Sequence, residues 1–483
     1  MTAAQTEQQD RSFFGQPRPL ANLFGVELWE RFSFYGMQGI LLIYLYYEAD
    51  RGGLGINQGT AAGIVGAYGG SVYLSTVIFA WLSDRLFGPE KVLFGSAILV
   101  MAGHIGLAVI PGVLGVTVGL ILVALGSGGV KATATTLVGG LYREGDERRD
   151  AGFSIFYLGI NLGALVGPLL TGLLQEEIGF HYGFGLAAVG MAIGLTQYAL
   201  GRKRLPANAN HVANPLPANR RPMVYGIAAA VVIVIVVLAL TGALPADRLS
   251  DIVIVLSIVA AVAYFVVILT SHRINVVERR RVLAFIPMFI ASAAFWSLYQ
   301  QQFTVITIYS DTRLDRNLGG WEFPVSWVQS INPVFIIILA GVFATLWTRL
   351  GDRQPSTPVK FAAGTAIMGV AFLLFLPFAM TTKVPLLGLA GILLVFTIAE
   401  LLLSPVGLSV TTKLAPEAFR TQMVALFFLS VALGTALSGE LAGYYNADDE
   451  VAYFGILGVV AIVLGGTLLA LTPMLKRLMG GVR

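Results

Sequence analysis

Fourteen apolar stretches run through this 483-residue chain, each close to or beyond the roughly 20 residues that cross the hydrocarbon of a bilayer. They lie near 21–47, 58–83, 91–110, 113–141, 151–175, 181–201, 222–244, 250–271, 282–309, 323–349, 359–380, 384–412, 419–444 and 451–475. Most connections between them are short. The exception is 202–221, rich in Pro, Asn and basic residues and without periodicity, which reads as a flexible linker. Only 12% of the residues are charged, whereas a soluble domain carries about 25%. Most side chains therefore meet lipid or other helices, and the 56 glycines suit close helix approach. The pattern predicts an all-α polytopic membrane protein whose lasting partner is the lipid bilayer.

Several function classes drop out. With no cysteine there is no disulfide framework and no thiolate metal site. His104, His181, His211 and His272 are scattered without metal-ligand spacing, so no metal and no cofactor is expected. No Ser/His pair on facing spans and no phosphate-binding loop suggests an enzyme. A receptor would want a larger soluble domain. The first 20 residues are polar and lack the apolar core of a signal peptide, so the first span should direct insertion.

The net charge of +4 could suggest nucleic acid, but its distribution points to topology. With the N-terminus in the cytoplasm, 24 of the 31 Lys and Arg fall on the cytoplasmic side. Arg51, Arg248, Arg313, Arg316 and Lys383 fall on the other, and Arg31 and Lys131 lie inside helices. Both termini are then cytoplasmic in the inner membrane. The chain also hints at duplication. Ser83-Asp84-Arg85-Leu86-Phe87-Gly88 follows the second span and Arg349-Leu350-Gly351-Asp352-Arg353 the tenth. With spans seven and eight set aside as an insertion, these loops occupy equivalent places in two six-helix halves, the build of many transporters.

Ionisable groups at mid-membrane are costly and are functional candidates by default. Here they are Glu27, Glu30 and Arg31 in the first span, Lys131 in the fourth and Glu400 in the twelfth. Positions 27, 30, 31, 34, 35 and 38 share one helical face, so a polar stripe must look into the protein. Glu27 and Arg31, four apart, can pair. Lys131 sits among small residues, Gly126-Ser127-Gly128-Gly129, and Glu400 lies five residues before a helix-breaking proline, Pro405. A purely structural ion-pair stripe would need fewer charges than three within five residues. Three acids and two bases leave one negative charge, which a proton neutralises. A ligand carrying a free amine and a free carboxylate suits such a set, with Glu400 taking the amine and Arg31 and Lys131 the carboxylate.

The residues also carry a likeness over the whole chain. Glu27, Glu30, Arg31, Phe32 and Tyr35 resemble the ExxERFxYY signature of proton-coupled oligopeptide transporters, a family of the major facilitator superfamily. Phe156-Tyr157-Leu158-Gly159-Ile160-Asn161-Leu162-Gly163 is similar to its FYxxINxG signature, and Ser330-Ile331-Asn332-Pro333 and Glu400-Leu401-Leu402-Leu403-Ser404-Pro405 to two later motifs. The resemblance implies a major facilitator fold: two six-helix bundles plus an inserted two-helix hairpin, fourteen transmembrane helices in all. The domains would be 1–201 for the first bundle, 202–221 for a cytoplasmic linker, 222–272 for the hairpin and 273–483 for the second bundle. It further implies a monomer that imports di- and tripeptides with protons by alternating access, using neither cofactor nor nucleic acid. Arg31 and Lys131 would bind the peptide carboxylate and Glu400 its amine. Tyr35, Gln38, Tyr73, Asn161 and Asn332 would line the site, Trp296 would help form a side-chain pocket, and Glu27 and Glu30, with Arg31, would couple the proton. Four positions depart from the family pattern: Phe34 replaces a common Tyr, Gln38 an Arg, Gln300 a Glu and Phe427 a Trp. Losing an Arg and a Glu together keeps the cavity charge, and leaves the ninth span without an acid. A proton-independent or nitrate-type uniporter of the same superfamily, the nearest alternative, is disfavoured because Glu27 and Glu30 are retained.

Overall fold

A computed structural model describes residues 12–143, 146–241 and 245–481. Arg11 and Arg483, both counted on the cytoplasmic side, and most of the polar N-terminal stretch lie outside the described residues. Each apolar stretch folds into a long helix. These are α1 (Arg18–Tyr46), α2 (Gln58–Leu82), α3 (Pro89–Val109), α4 (Gly112–Gly139), α5 (Arg148–Glu177), α6 (Phe180–Gly201) and α7 (Arg221–Leu240). There follow α8 (Leu249–Thr270), α9a (Val276–Tyr299) with its short continuation α9b (Val305–Thr312), α10 (Ile331–Leu350), α11 (Thr357–Leu373), α12 (Leu386–Leu414), α13 (Arg420–Ala442) and α14 (Glu450–Met479). Among the described residues, 12 helices are long and apolar enough to cross a membrane. The charged stripe of α1 keeps it below that mark.

Three local expectations are overturned. The stretch 282–309 is not one continuous helix. It starts earlier, at Val276, where Asn275 and Glu278 form a reciprocal capping box. It then breaks at Gln300–Phe303, where the Gln302 amide donates to the Tyr299 carbonyl at 3.2 Å and the Thr307 hydroxyl to the Gln302 carbonyl at 2.8 Å. Those side chains compete with the helix ladder for its carbonyls. Pro405 does not break α12, which runs through it unbroken. The linker is not loose. Its Asn214 and Leu216 amides donate to the Asp84 and Arg85 carbonyls at 2.9 and 2.8 Å, and Ala209 and Leu216 are buried. A short exposed hairpin, β1 (Asn317–Leu318) and β2 (Trp321–Glu322), turns on Gly319 and Gly320, both with positive φ.

The packing resolves into two compact units built from non-contiguous stretches. The first holds the chain up to Met37, Ser75–Gly167 and His181–Leu249, and the second Gln38–Leu74, Pro168–Phe180 and everything from Ser250 on. Small residues set the helix contacts within each. In the first unit α3 and α4 meet at Gly103 and Gly119, where an added Cβ would strike Val123 or Leu107. In the second, α11 and α14 meet at Gly369 and Gly458, and a Cβ on Gly458 would lie 2.8 Å from the Gly369 carbonyl oxygen. Small-residue contacts of this kind replace the hydrophobic drive that lipid removes.

Candidate functional site

In the first unit α1 is drawn against its neighbours by glycines. A Cβ on Gly163 of α5 would lie 2.8 Å from the Arg31 Cβ, and one on Gly194 of α6 would lie 2.6 Å from the Trp29 Cβ. This approach buries the charged stripe: Glu27, Glu30 and Arg31 are at most 4% exposed. Arg31 forks between both acids. Its Nη2 lies 2.6 Å and its Nε 2.7 Å from Glu27 Oε1, and its Nη1 lies 3.3 Å from Glu30 Oε2. The Ser127 hydroxyl of α4 donates to Glu30 Oε1 at 2.6 Å. One turn further along α4, Lys131 Nζ sits 5.1 Å from the centre of the Phe34 ring. Tyr35 meets that same ring edge-on. Phe34, a departure from the family pattern, thus serves as a platform beside the lysine. The two acids are formally balanced by buried Arg31 and partly buried Lys131, which makes the burial of the stripe tolerable.

Asn161 is buried in the same unit, but its amide donates at 2.9 Å to the Tyr157 carbonyl one turn back on α5. Gln38 and Tyr73 fall in the second unit. Gln38 is buried with its Oε1 unpaired among the described residues, and Tyr73 is partly buried.

The second unit holds the other sequence-predicted residues around one carboxylate. Glu400, 9% exposed on α12, accepts from the Tyr299 hydroxyl at 2.8 Å and from the Asn332 amide at 3.3 Å. The Asn332 amide also donates to Thr397 at 3.0 Å. Trp296 packs edge-on to Tyr299, with its indole N–H buried and unpaired among the described residues. Both of these donors to Glu400 are neutral, so its charge is solvated by dipoles. Gln300, where the family often has an acid, donates to Thr435 at 3.2 Å. Sequence reasoning missed Ser127 and Tyr299. Their signals were present: Ser127 is four residues before Lys131, and Tyr299 three after Trp296.

The arrangement offers a forked cation already claimed by two acids and, in the other unit, an acid held by hydroxyl and amide donors. The Arg31 set can exchange one ion-pair partner for another, and the Glu400 carboxylate can accept further donors. The family model described as the POT family matches residues 90–457. The chain belongs to the POT family. It is a membrane transporter, and the fourteen-helix, all-α polytopic reading stands. Among curated relatives, an uncharacterized transporter, YclF of Bacillus subtilis, is 44% identical, covering 98% of this chain and 97% of its own. A di-/tripeptide transporter of Lactococcus lactis subsp. cremoris is 39% identical over 98% of this chain and 99% of its own. A solved peptide transporter POT, a glutamate-to-glutamine mutant in complex with alafosfalin, superposes with a TM-score of 0.93 at 43% identity, with 100% of both chains covered.

Proposed function

We propose that this protein is a proton-coupled symporter that imports di- and tripeptides by alternating access. The observation that carries this reading is Arg31 shared by Glu27 and Glu30. A peptide carboxylate can claim that guanidinium only if one glutamate gives it up, and a protonated glutamate gives it up readily. Glu400, solvated by neutral donors, would receive the peptide amine, with Asn332 holding the carboxylate in place and Trp296 offering its indole N–H. Lys131 would add the second cation for the peptide carboxylate, and Tyr35, Gln38, Tyr73 and Asn161 would line the path.

The rest of the reading follows the chain's organisation. Residues 1–201 and 273–483 form the two six-helix bundles, 202–221 links them in the cytoplasm and 222–272 is an added hairpin. The protein works as a monomer in the inner membrane with both termini in the cytoplasm, supported by the Lys and Arg asymmetry. It takes peptides and protons and no nucleic acid.

The test is uptake of labelled di-alanine into proteoliposomes under an imposed proton gradient. Dipeptides and tripeptides should compete with the label, and free alanine should not. Equal competition by single amino acids would remove the peptide assignment.

A further inference from the structure

The last turns of α10, α12 and α14 and the first turn of α11, all in the second packing unit, surround a cavity of about 640 Å³. Three lysines line it, Lys360, Lys413 and Lys476, and no carboxylate does so among the described residues. Lys413 and Lys476 are easily accounted for: each is exposed in the last turn of its helix, where free carbonyls favour a cation.

Lys360 is the anomaly. It is the fourth residue of α11, at the helix end where free N–H groups disfavour a cation. It is 8% exposed, and the groups that receive its ammonium are neutral: the Gln354 side-chain oxygen at 2.9 Å and the face of Trp347 at 4.0 Å. Lys413 is near enough to repel it. At the N-cap of the same helix the Ser356 hydroxyl is buried, caps no backbone amide, and has no partner among the described residues. A buried ammonium, a helix N-terminus and a spare hydroxyl donor thus converge on one polar cavity. A cation buried among like charges is unfavourable unless an anion compensates it.

We propose that this cavity binds a phosphoryl anion, carried either by a phospholipid headgroup or by a small soluble phosphate. Lys360 and the first N–H groups of α11 form its floor, and Ser356 donates to one of the phosphoryl oxygens. Lys413 and Lys476 close it at the rim. None of these residues belongs to the peptide site, so the occupant would tune the transporter without competing with its substrate.

The test uses the full-length protein and two doubly substituted variants of equal charge change. Lys413→Gln/Lys476→Gln removes the exposed rim. Lys203→Gln/Arg204→Gln removes two exposed charges elsewhere. Thermal unfolding is followed with pyrophosphate, with chloride at matched ionic strength, and with phosphatidylglycerol against phosphatidylcholine micelles. The wild type and the control variant should be stabilised saturably by pyrophosphate or by phosphatidylglycerol, and not by chloride. The rim variant should need roughly ten-fold more of the same ligand, as expected for losing charge-assisted contacts. A response to pyrophosphate identifies a soluble phosphate as occupant, and one to phosphatidylglycerol alone identifies the lipid headgroup. An identical response in all three proteins, or no saturable response to either ligand, would overturn the proposal.

Discussion

The Tyr46 hydroxyl donates to Asp311 Oδ2 at 2.6 Å, joining the end of α1 to α9b, 265 positions later in the chain. Tyr47 donates to the other oxygen at 2.7 Å. Arg316 lies 3.7 Å from that same oxygen and pairs with Glu322 at 2.8 Å. One mostly buried carboxylate thus fastens two elements that are remote in sequence. Tyr46→Phe would leave one of its oxygens short of a donor. That should cost about 1–3 kcal/mol, the usual penalty for an unsatisfied buried group. The unfolding midpoint in detergent, compared between Tyr46→Phe, Tyr47→Phe and the double variant, checks this. Unchanged midpoints in all three would show the clamp to be energetically idle.

The two charge clusters should fail separately when broken. Lys131→Ala and Glu400→Ala should each abolish gradient-driven uptake while the protein still inserts and elutes as a folded species. Wild-type rates in either variant would mark that charge as structural.

Tyr299 gives a finer test of the Glu400 site. Its hydroxyl holds the carboxylate oxygen that faces Asn332. In Tyr299→Phe the carboxylate loses its shorter charge-assisted bond and keeps only the longer one from Asn332. The KM for di-alanine should rise roughly ten-fold with a smaller change in the maximal rate, about what one such bond contributes. If kinetics are unaltered, the hydroxyl does not position Glu400.

Coupling should reside on α1. Because Glu27 and Glu30 share Arg31, a peptide carboxylate and a proton should each favour the binding of the other, and such linkage is reciprocal. Glu27→Gln or Glu30→Gln should stop accumulation driven by a proton gradient and spare peptide counterflow, which needs no net proton movement. Both assays belong in one liposome preparation. Persistent accumulation in both variants would move the proton site away from α1.

The second helix of the hairpin, α8, packs on α2. Ser250 of α8 donates to the Gly63 carbonyl at 2.7 Å, and Val253 fills the space beside Gly70 on α2. Replacing 222–271 with a short linker should leave transport largely intact and lower the unfolding midpoint, since the Gly63–Gly70 face would be uncovered. A folded deletion variant without transport would give the hairpin a part in the cycle.

The sequence by itself determined the number and approximate limits of the helices. It also placed the charged face of α1 and the isolation of Lys131 and Glu400. Apolar length and helical periodicity are local properties, so they can be counted along the chain. The i, i+4 pair of Glu27 and Arg31 was legible for the same reason. The break at Gln300–Phe303, the unbroken course of α12 through Pro405 and the docking of 202–221 were not legible. The docking of 202–221 depends on the distant Asp84 and Arg85 carbonyls that receive its amides, and the break on side chains that take the carbonyls of their own helix. Nor were the pairings of Ser127 with Glu30, Tyr299 with Glu400 and Tyr46 with Asp311 legible. In those pairs a hydroxyl meets a carboxylate 97, 101 and 265 positions away. Nothing in local composition fixes such a partner. Only the packing of whole helices, set by where glycines let backbones touch, decides which polar atoms share a dry interior and must therefore bond to one another.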